Sequence, residues 1–224
     1  NMLTAAELNK MYDKKEDFVV LDLRNDYEIQ AGYFEKTVNP KLRFFRELPE
    51  KIKELEHLKN KKVLLRVDFD VPLQTSASQN LGGQAVISEN FRIKKQKETL
   101  DYLIEHGAHV VMVAHISAID SFETLIPELA EILGHEIKFL KSVSEISAYL
   151  EHYAGPALLD NIRQNLEEEK NDSEFAKQLA QGFDLYINNA FAVCHRDHAS
   201  VSAITKVLPS YAGLLVEQEV AQLN

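Results

Sequence analysis

The sequence predicts an α/β fold in which a parallel sheet forms the middle of three layers, with helices on both faces. Three observations lead there. Short aliphatic runs alternate with helix-length segments along most of the chain, the pattern of successive βα units. The runs are apolar throughout rather than at every second position, as in strands buried on both sides. The connections between segments are short, as such units require.

The elements follow in order. Thr4, with Glu7 three residues on, is a capping box that opens a helix to about Lys15. Phe18 to Leu23 is an apolar run broken by one aspartate and reads as a buried strand. Asn39 and Pro40 mark a loop, Leu48 to Leu58 is helical, and Lys62 to Val67 is the next strand. A polar, glycine-containing loop spans Gln74 to Gln84. The helix from about Ile93 to Glu105 then ends at Gly107, placed as a C-cap glycine. Strands are expected at His109–Ala114, Glu136–Leu140, Ala157–Leu159 and Leu185–Asn188, and helices at Phe122–Leu133, Ser144–His152 and Ser173–Gln181.

Composition narrows the function classes. The chain has 224 residues, 45% of them hydrophobic, and a net charge of −10, which supports a folded core and argues against nucleic acid as a partner. No apolar run reaches the length of a membrane span, so a cytoplasmic protein without a membrane partner is expected. The single cysteine, Cys194, excludes an internal disulfide. None of the eight glycines falls in GxGxxG or GxxxxGK[ST]. Charge is uneven: residues 1–62 hold 13 Lys and Arg against 12 Asp and Glu, and the remainder is strongly acidic. Two segments of different origin are implied.

Ligands of parallel sheets gather beyond the carboxyl ends of the strands. Asp68 and Asp70 follow the strand ending at Val67, His115 follows Ala114, and Asp160, Asn161 and Arg163 follow Leu159. Asn189, His195 and Arg196 follow Asn188, while Arg92 opens a helix. Three arginines and up to two histidines on one rim of an acidic domain suit a small anion, because guanidinium forks match phosphate and carboxylate oxygens. Cys194 and His195 could pair as nucleophile and base, or join His198 at a zinc ion, but no fourth ligand lies near, and no metal is expected. The run Glu167 to Lys170 reads as a solvated loop or helix start, Tyr27 and Phe34 as core residues, and His57, His106, His135 and His152 as solvated.

Five runs occur in sequence: Arg66–Pro72 (RVDFDVP), Asp160–Arg163 (DNIR), Glu167–Asp172 (EEEKND), Asn188–Phe191 with His195–Ser200 (NNAF, HRDHAS), and Leu208–Gly213 (LPSYAG). Together, over residues 60 to 220, they resemble the N-terminal, substrate-binding lobe of phosphoglycerate kinase, a Rossmann-like fold. The resemblance implies a lobe that binds 3-phosphoglycerate, or a similar small phosphorylated anion, for phosphoryl transfer between 1,3-bisphosphoglycerate and ADP in glycolysis. It implies that Asp68 bonds the substrate hydroxyl and that Arg92 contacts substrate and stabilises the moving phosphoryl group. Asp70, His115, Arg163 and Arg196 complete the substrate grip. Mg-ATP or Mg-ADP would belong to a nucleotide-binding lobe on a separate or downstream segment, so no cofactor is expected on this chain and the chain alone is expected to be inactive. Three positions depart from the family pattern: Asp70 stands for Asn, Ala118 for the second arginine of the grip, and Asn189 for Asp.

Residues 1–61 carry other runs, Leu3–Leu8, Phe18–Glu28 (FVVLDLRNDYE), Gly32–Phe34 and Phe45–Glu50. These resemble the front half of a rhodanese domain. The persulfide cysteine of that family would fall near Val67, so the resemblance implies a partial segment without sulfur chemistry. The expected organisation is this segment, 1–61, followed by the kinase lobe, 62–224. The alternative is a non-catalytic fusion acting as an anion-binding or interaction module.

Overall fold

The computed structural model describes residues 20–21, 37–38, 58–75, 85–152 and 155–223, and the chain divides into two units, Asn1–His57 and Leu58–Asn224. In the first unit two short strands, β1 (Val20–Leu21) and β2 (Thr37–Val38), pair in parallel. The predicted helix from Thr4, the rest of the Phe18–Leu23 strand, the Asn39–Pro40 loop and the Leu48–Leu58 helix up to His57 lie outside the described residues, as do Tyr27 and Phe34. Leu58 itself is in a turn, where its carbonyl accepts the Lys61 N–H.

The second unit is built on β3 (Lys62–Arg66), β6 (His109–Val113), β7 (Lys138–Leu140), β8 (Ala157–Leu159), β9 (Leu185–Asn188) and β10 (Ser210–Ala212). They form one six-stranded sheet in the order β10-β9-β3-β6-β8-β7, with every pair parallel. Central β3 and β6 pair from Lys62 with His109 to Arg66 with Val113. Side chains alternate between faces, and the two cores follow that alternation. On one face Val63, Leu65, Val110 and Met112 pack with helices α1 (Phe91–Glu105) and α2 (Ile126–Leu133). On the other, Leu64, Val111 and Val113 pack with α3 (Ile146–His152) and α5 (Ser173–Ala180), α5 following the one-turn helix α4 (Leu166–Glu169). The last helix is α6 (Leu214–Leu223).

Local chemistry sets the element ends. Gly107 has φ +77° after α1, the left-handed turn that its place after the helix predicts. Asp172 caps α5 by accepting the Phe175 N–H at 2.8 Å.

Two expectations are corrected, and one strand was not foreseen. The expected Gln74–Gln84 loop begins as a strand: β4 (Leu73–Thr75) pairs antiparallel with β5 (Ala85–Ile87), and residues 76–84 lie outside the described residues. Strands of three residues are too short to show a period. The segment Ser210–Ala212 is a sheet-edge strand whose exposed, polar start hides it. The run Glu167–Lys170 is not uniformly solvated, because Glu168 is fully buried.

Among the described residues no helix is long and apolar enough to cross a membrane.

Candidate functional site

Arg66 ends the central strand and is 1% exposed. Burial lowers its pKa from the usual value, opposed chiefly by Glu168, and the buried guanidinium is matched by acceptors on several sides. Its Nε donates to Ser200 Oγ at 3.0 Å, Nη1 to the carbonyls of Val67 and Val113, and Nη2 to His115 Nδ1 at 3.1 Å. Ser200 passes the interaction on: its N–H and hydroxyl donate to the two oxygens of Glu168 at 2.8 and 2.6 Å. Tyr186 donates to the Ser200 carbonyl, and the Ala199 N–H to the Glu168 carbonyl. The segment that carries Arg196 is thus fastened to β3 and α4. Sequence reading passed over Arg66 as a site residue because a strand end inside an apolar run reads as core. The signal was a charged residue in a position buried on both faces, which requires partners.

The loop after β3 carries the two aspartates. Asp68 is 5% exposed, and its Oδ1 accepts the Asp70 N–H at 3.2 Å. The Nη1 of Arg92 stands 3.5 Å from Asp68 Oδ2 and donates to the Asp70 carbonyl at 3.3 Å, while most of the Arg92 side chain faces solvent. Asp70 reaches across to the loop after β6. Its Oδ1 accepts the Ser117 N–H at 2.8 Å and its Oδ2 the Ser117 hydroxyl at 3.2 Å. Burial raises the Asp70 pKa, but the Ser117 bonds and the His115 and Arg163 charges outweigh it and hold the group below the usual carboxylate value.

His115 is 1% exposed. Burial and the Arg66 and Arg163 charges push its pKa down to about 4, with Asp70 opposing. At neutral pH it is an uncharged ring, so it contributes a donor to the rim and not a positive charge. Its Nε2 lies 3.2 Å from Asp70 Oδ2, within ion-pair distance but without hydrogen-bond geometry. Arg163 is held by Nη1 to Ser117 Oγ at 3.2 Å and by a 3.4 Å approach of Nε to Glu169. It also lines an open cleft of about 240 Å³ with Ile116, Ser117, Ile119, Asp120, Asn161 and Gln164. Arg196 is half-buried and close enough to depress both His115 and His198.

Asp68, Asp70, Arg92 and His115 therefore meet through direct contacts, Arg163 joins them through the Ser117 hydroxyl, and Arg196 through its field. His195 is exposed. Cys194 is an exposed free thiol whose pKa burial of the sulfur raises, which disfavours a nucleophilic thiolate. Among the described residues no group of three or more His, Cys, Asp or Glu suits a metal ion.

The cluster has one further property. Among the described residues, the buried side-chain polar atoms without a hydrogen-bond partner are His115 Nε2, Arg163 Nε and Nη2, and Arg196 Nε. All are nitrogens, and all belong to this rim. Buried donors without acceptors are rare in folded proteins and call for a ligand or an ion. The oxygens of an anion are acceptors of the kind such donors require.

A family profile described as phosphoglycerate kinase matches residues 52–224. The phosphoglycerate kinase of Coprothermobacter proteolyticus is 39% identical over 178 residues, covering 75% of this chain and 43% of that protein. The cytosolic phosphoglycerate kinase of Nicotiana tabacum is 38% identical over 178 residues, covering 74% and 42%. Among solved structures, phosphoglycerate kinase from Pyrococcus horikoshii OT3 superposes with a TM-score of 0.65 at 27% identity, over 74% of this chain and 43% of that one. This chain spans less than half the length of the relatives it matches.

Proposed function

The chain belongs to the phosphoglycerate kinase family, and from that premise we propose that residues 62–224 form its 3-phosphoglycerate-binding lobe, working in the cytoplasm. The supporting observation is the set of buried donors without acceptors on His115, Arg163 and Arg196. In this reading Arg163 and Arg196 grip the anion, His115 adds a neutral N–H donor, and Asp68 faces the substrate hydroxyl. Arg92, exposed and, among the described residues, tethered only at Nη1, is free to swing onto the moving phosphoryl group. Phosphoryl transfer depends on positioning and charge neutralisation, which such a grip supplies for the acceptor. The donor, Mg-ATP in one direction and 1,3-bisphosphoglycerate with Mg-ADP in the other, requires a nucleotide lobe. Residues 1–61 are a rhodanese-like segment without its cysteine.

Two substitutions favour a second reading, a non-catalytic fusion that serves as an anion-binding or interaction module. Asp70 brings a carboxylate into the cluster, and Ala118 leaves out a guanidinium.

Titration calorimetry with 3-phosphoglycerate tests the grip. Weak binding is expected, falling as salt rises and lost in Arg163→Ala. No binding at low salt, or binding indifferent to Arg163→Ala, overturns it.

A further inference from the structure

Asp70 sits at the centre of the cluster with its carboxylate already engaged. The Ser117 N–H and hydroxyl take one oxygen each, and His115 Nε2 stands 3.2 Å from the second. A backbone N–H and a hydroxyl, each bonded to one oxygen, make a corner that fits a planar carboxylate, with the His115 ring at ion-pair distance beside it. The Ser117 hydroxyl has no second proton to give a ligand, and its oxygen also accepts from Arg163 Nη1 at 3.2 Å. Among the described residues, the buried donors without a hydrogen-bond partner are Nε2 of His115, Nε and Nη2 of Arg163, the Nε lying 3.4 Å from Glu169, and Nε of Arg196, and guanidinium forks suit a phosphate. The chain thus fills one anion corner itself and leaves the arginine side open.

Resting on the reading of this lobe as an anion site, we infer that Asp70 is a selectivity residue: its carboxylate occupies the corner a ligand carboxylate would take. The lobe therefore favours phosphate monoesters without a carboxylate over phosphoglycerates. A ligand carboxylate entering that corner meets a like charge and finds the Ser117 donors taken. Losing a charged hydrogen bond there weakens binding by roughly tenfold to a hundredfold. Asp70 remains ionised in the free protein, as its lowered pKa indicates, so the obstruction holds at neutral pH.

The experiment crosses two ligands with two proteins. Glycerol 3-phosphate, which has the phosphate and no carboxylate, and 3-phosphoglycerate are titrated by calorimetry into the full chain and into Asp70→Asn. The wild-type chain is expected to bind glycerol 3-phosphate at least as tightly, and Asp70→Asn to swing the affinity ratio toward 3-phosphoglycerate by about tenfold or more. Asp70→Ser gives the same swing if the Asn variant folds poorly. An equal gain for both ligands makes Asp70 a background charge and overturns the inference, as does an unchanged ratio. If neither ligand binds either protein, the anion-site reading itself falls, and the selectivity with it.

Discussion

Nη2 of Arg66 donates to Nδ1 of His115 across 3.1 Å, and this fixes the tautomer of the histidine. A guanidinium has only donors, so Nδ1 is the acceptor and the ring proton sits on Nε2, facing the anion cluster. Protonating Nδ1 would set two donors against each other. The contact therefore agrees in direction with the ring's pKa of about 4.

The first prediction is a stability window. His115 has a folded pKa near 4 against an ordinary 6.5, so the unfolded chain binds more protons between these values. Its contribution is present above pH 6.5 and is lost as pH falls toward 4. His198 is lowered too and adds with the same sign. The urea midpoint should drop across that interval. His115→Gln, which can still accept from Arg66 and donate onward, should flatten the drop, and an unaltered pH profile in that variant would contradict the assignment.

Glu168 is the second test. It is fully buried, accepts both Ser200 donors, and is the leading opposite charge acting on Arg66. Glu168→Ala leaves the buried guanidinium uncompensated and should destabilise the second unit by roughly 3–5 kcal/mol. Glu168→Gln keeps an acceptor and should lose less. Urea unfolding of both variants measures this, and a loss under about 1 kcal/mol for the alanine variant would show that Arg66 is balanced elsewhere.

The sheet was legible because its strands are continuous apolar runs, as in Val63 to Leu65 and Val110 to Val113, which only a doubly covered sheet needs. The rim was legible in part because βα units put chemistry after strands, so Asp68, His115 and Arg163 announced themselves. The local sequence said nothing of the Glu168 network, since Ser200, Glu168 and Arg66 meet across separations of 32 and 134 residues. A run of glutamates carries no mark showing which one turns inward. The charge of His115 was likewise hidden, because it depends on Arg66 and Arg163 arriving from other loops.

A third prediction concerns sulfur. The rhodanese-like resemblance of residues 1–61 comes without a cysteine in that segment, and the one thiol, Cys194, has its pKa raised by burial. Persulfide chemistry needs a stabilised thiolate. Thiosulfate and cyanide should yield no thiocyanate above control; production abolished by Cys194→Ser would sink this reading.

The fourth is kinetic. Transfer needs the donor nucleotide held in line with the acceptor, and in the reading proposed above residues 62–224 supply the acceptor side. A coupled assay with 3-phosphoglycerate, ATP and magnesium should show background only. Turnover that follows the purified chain and disappears in Arg92→Ala would reverse the conclusion.

The last prediction turns on Asn189, the position where the family pattern has Asp. Here the side chain is fully buried: Nδ2 donates to Gln96 Oε1 at 2.9 Å, and Oδ1 accepts the Thr99 hydroxyl at 2.9 Å and the Leu215 N–H at 3.0 Å. It therefore ties the end of β9 to α1 and to the start of α6. Only a residue without a side chain fits opposite, since a Cβ on Gly213 would lie 2.3 Å from Asn189 Oδ1 and 2.8 Å from its Cβ. Gly213→Ala must push Asn189 aside or lift α6, breaking bonds between buried groups that cost about 1–3 kcal/mol each when left unsatisfied. Hydrogen exchange should rise first in α6, beginning at the Leu215 amide, while β3 and β6 stay protected. Equal protection of Leu215 in the variant and the wild type would mean that this contact does not hold the helix.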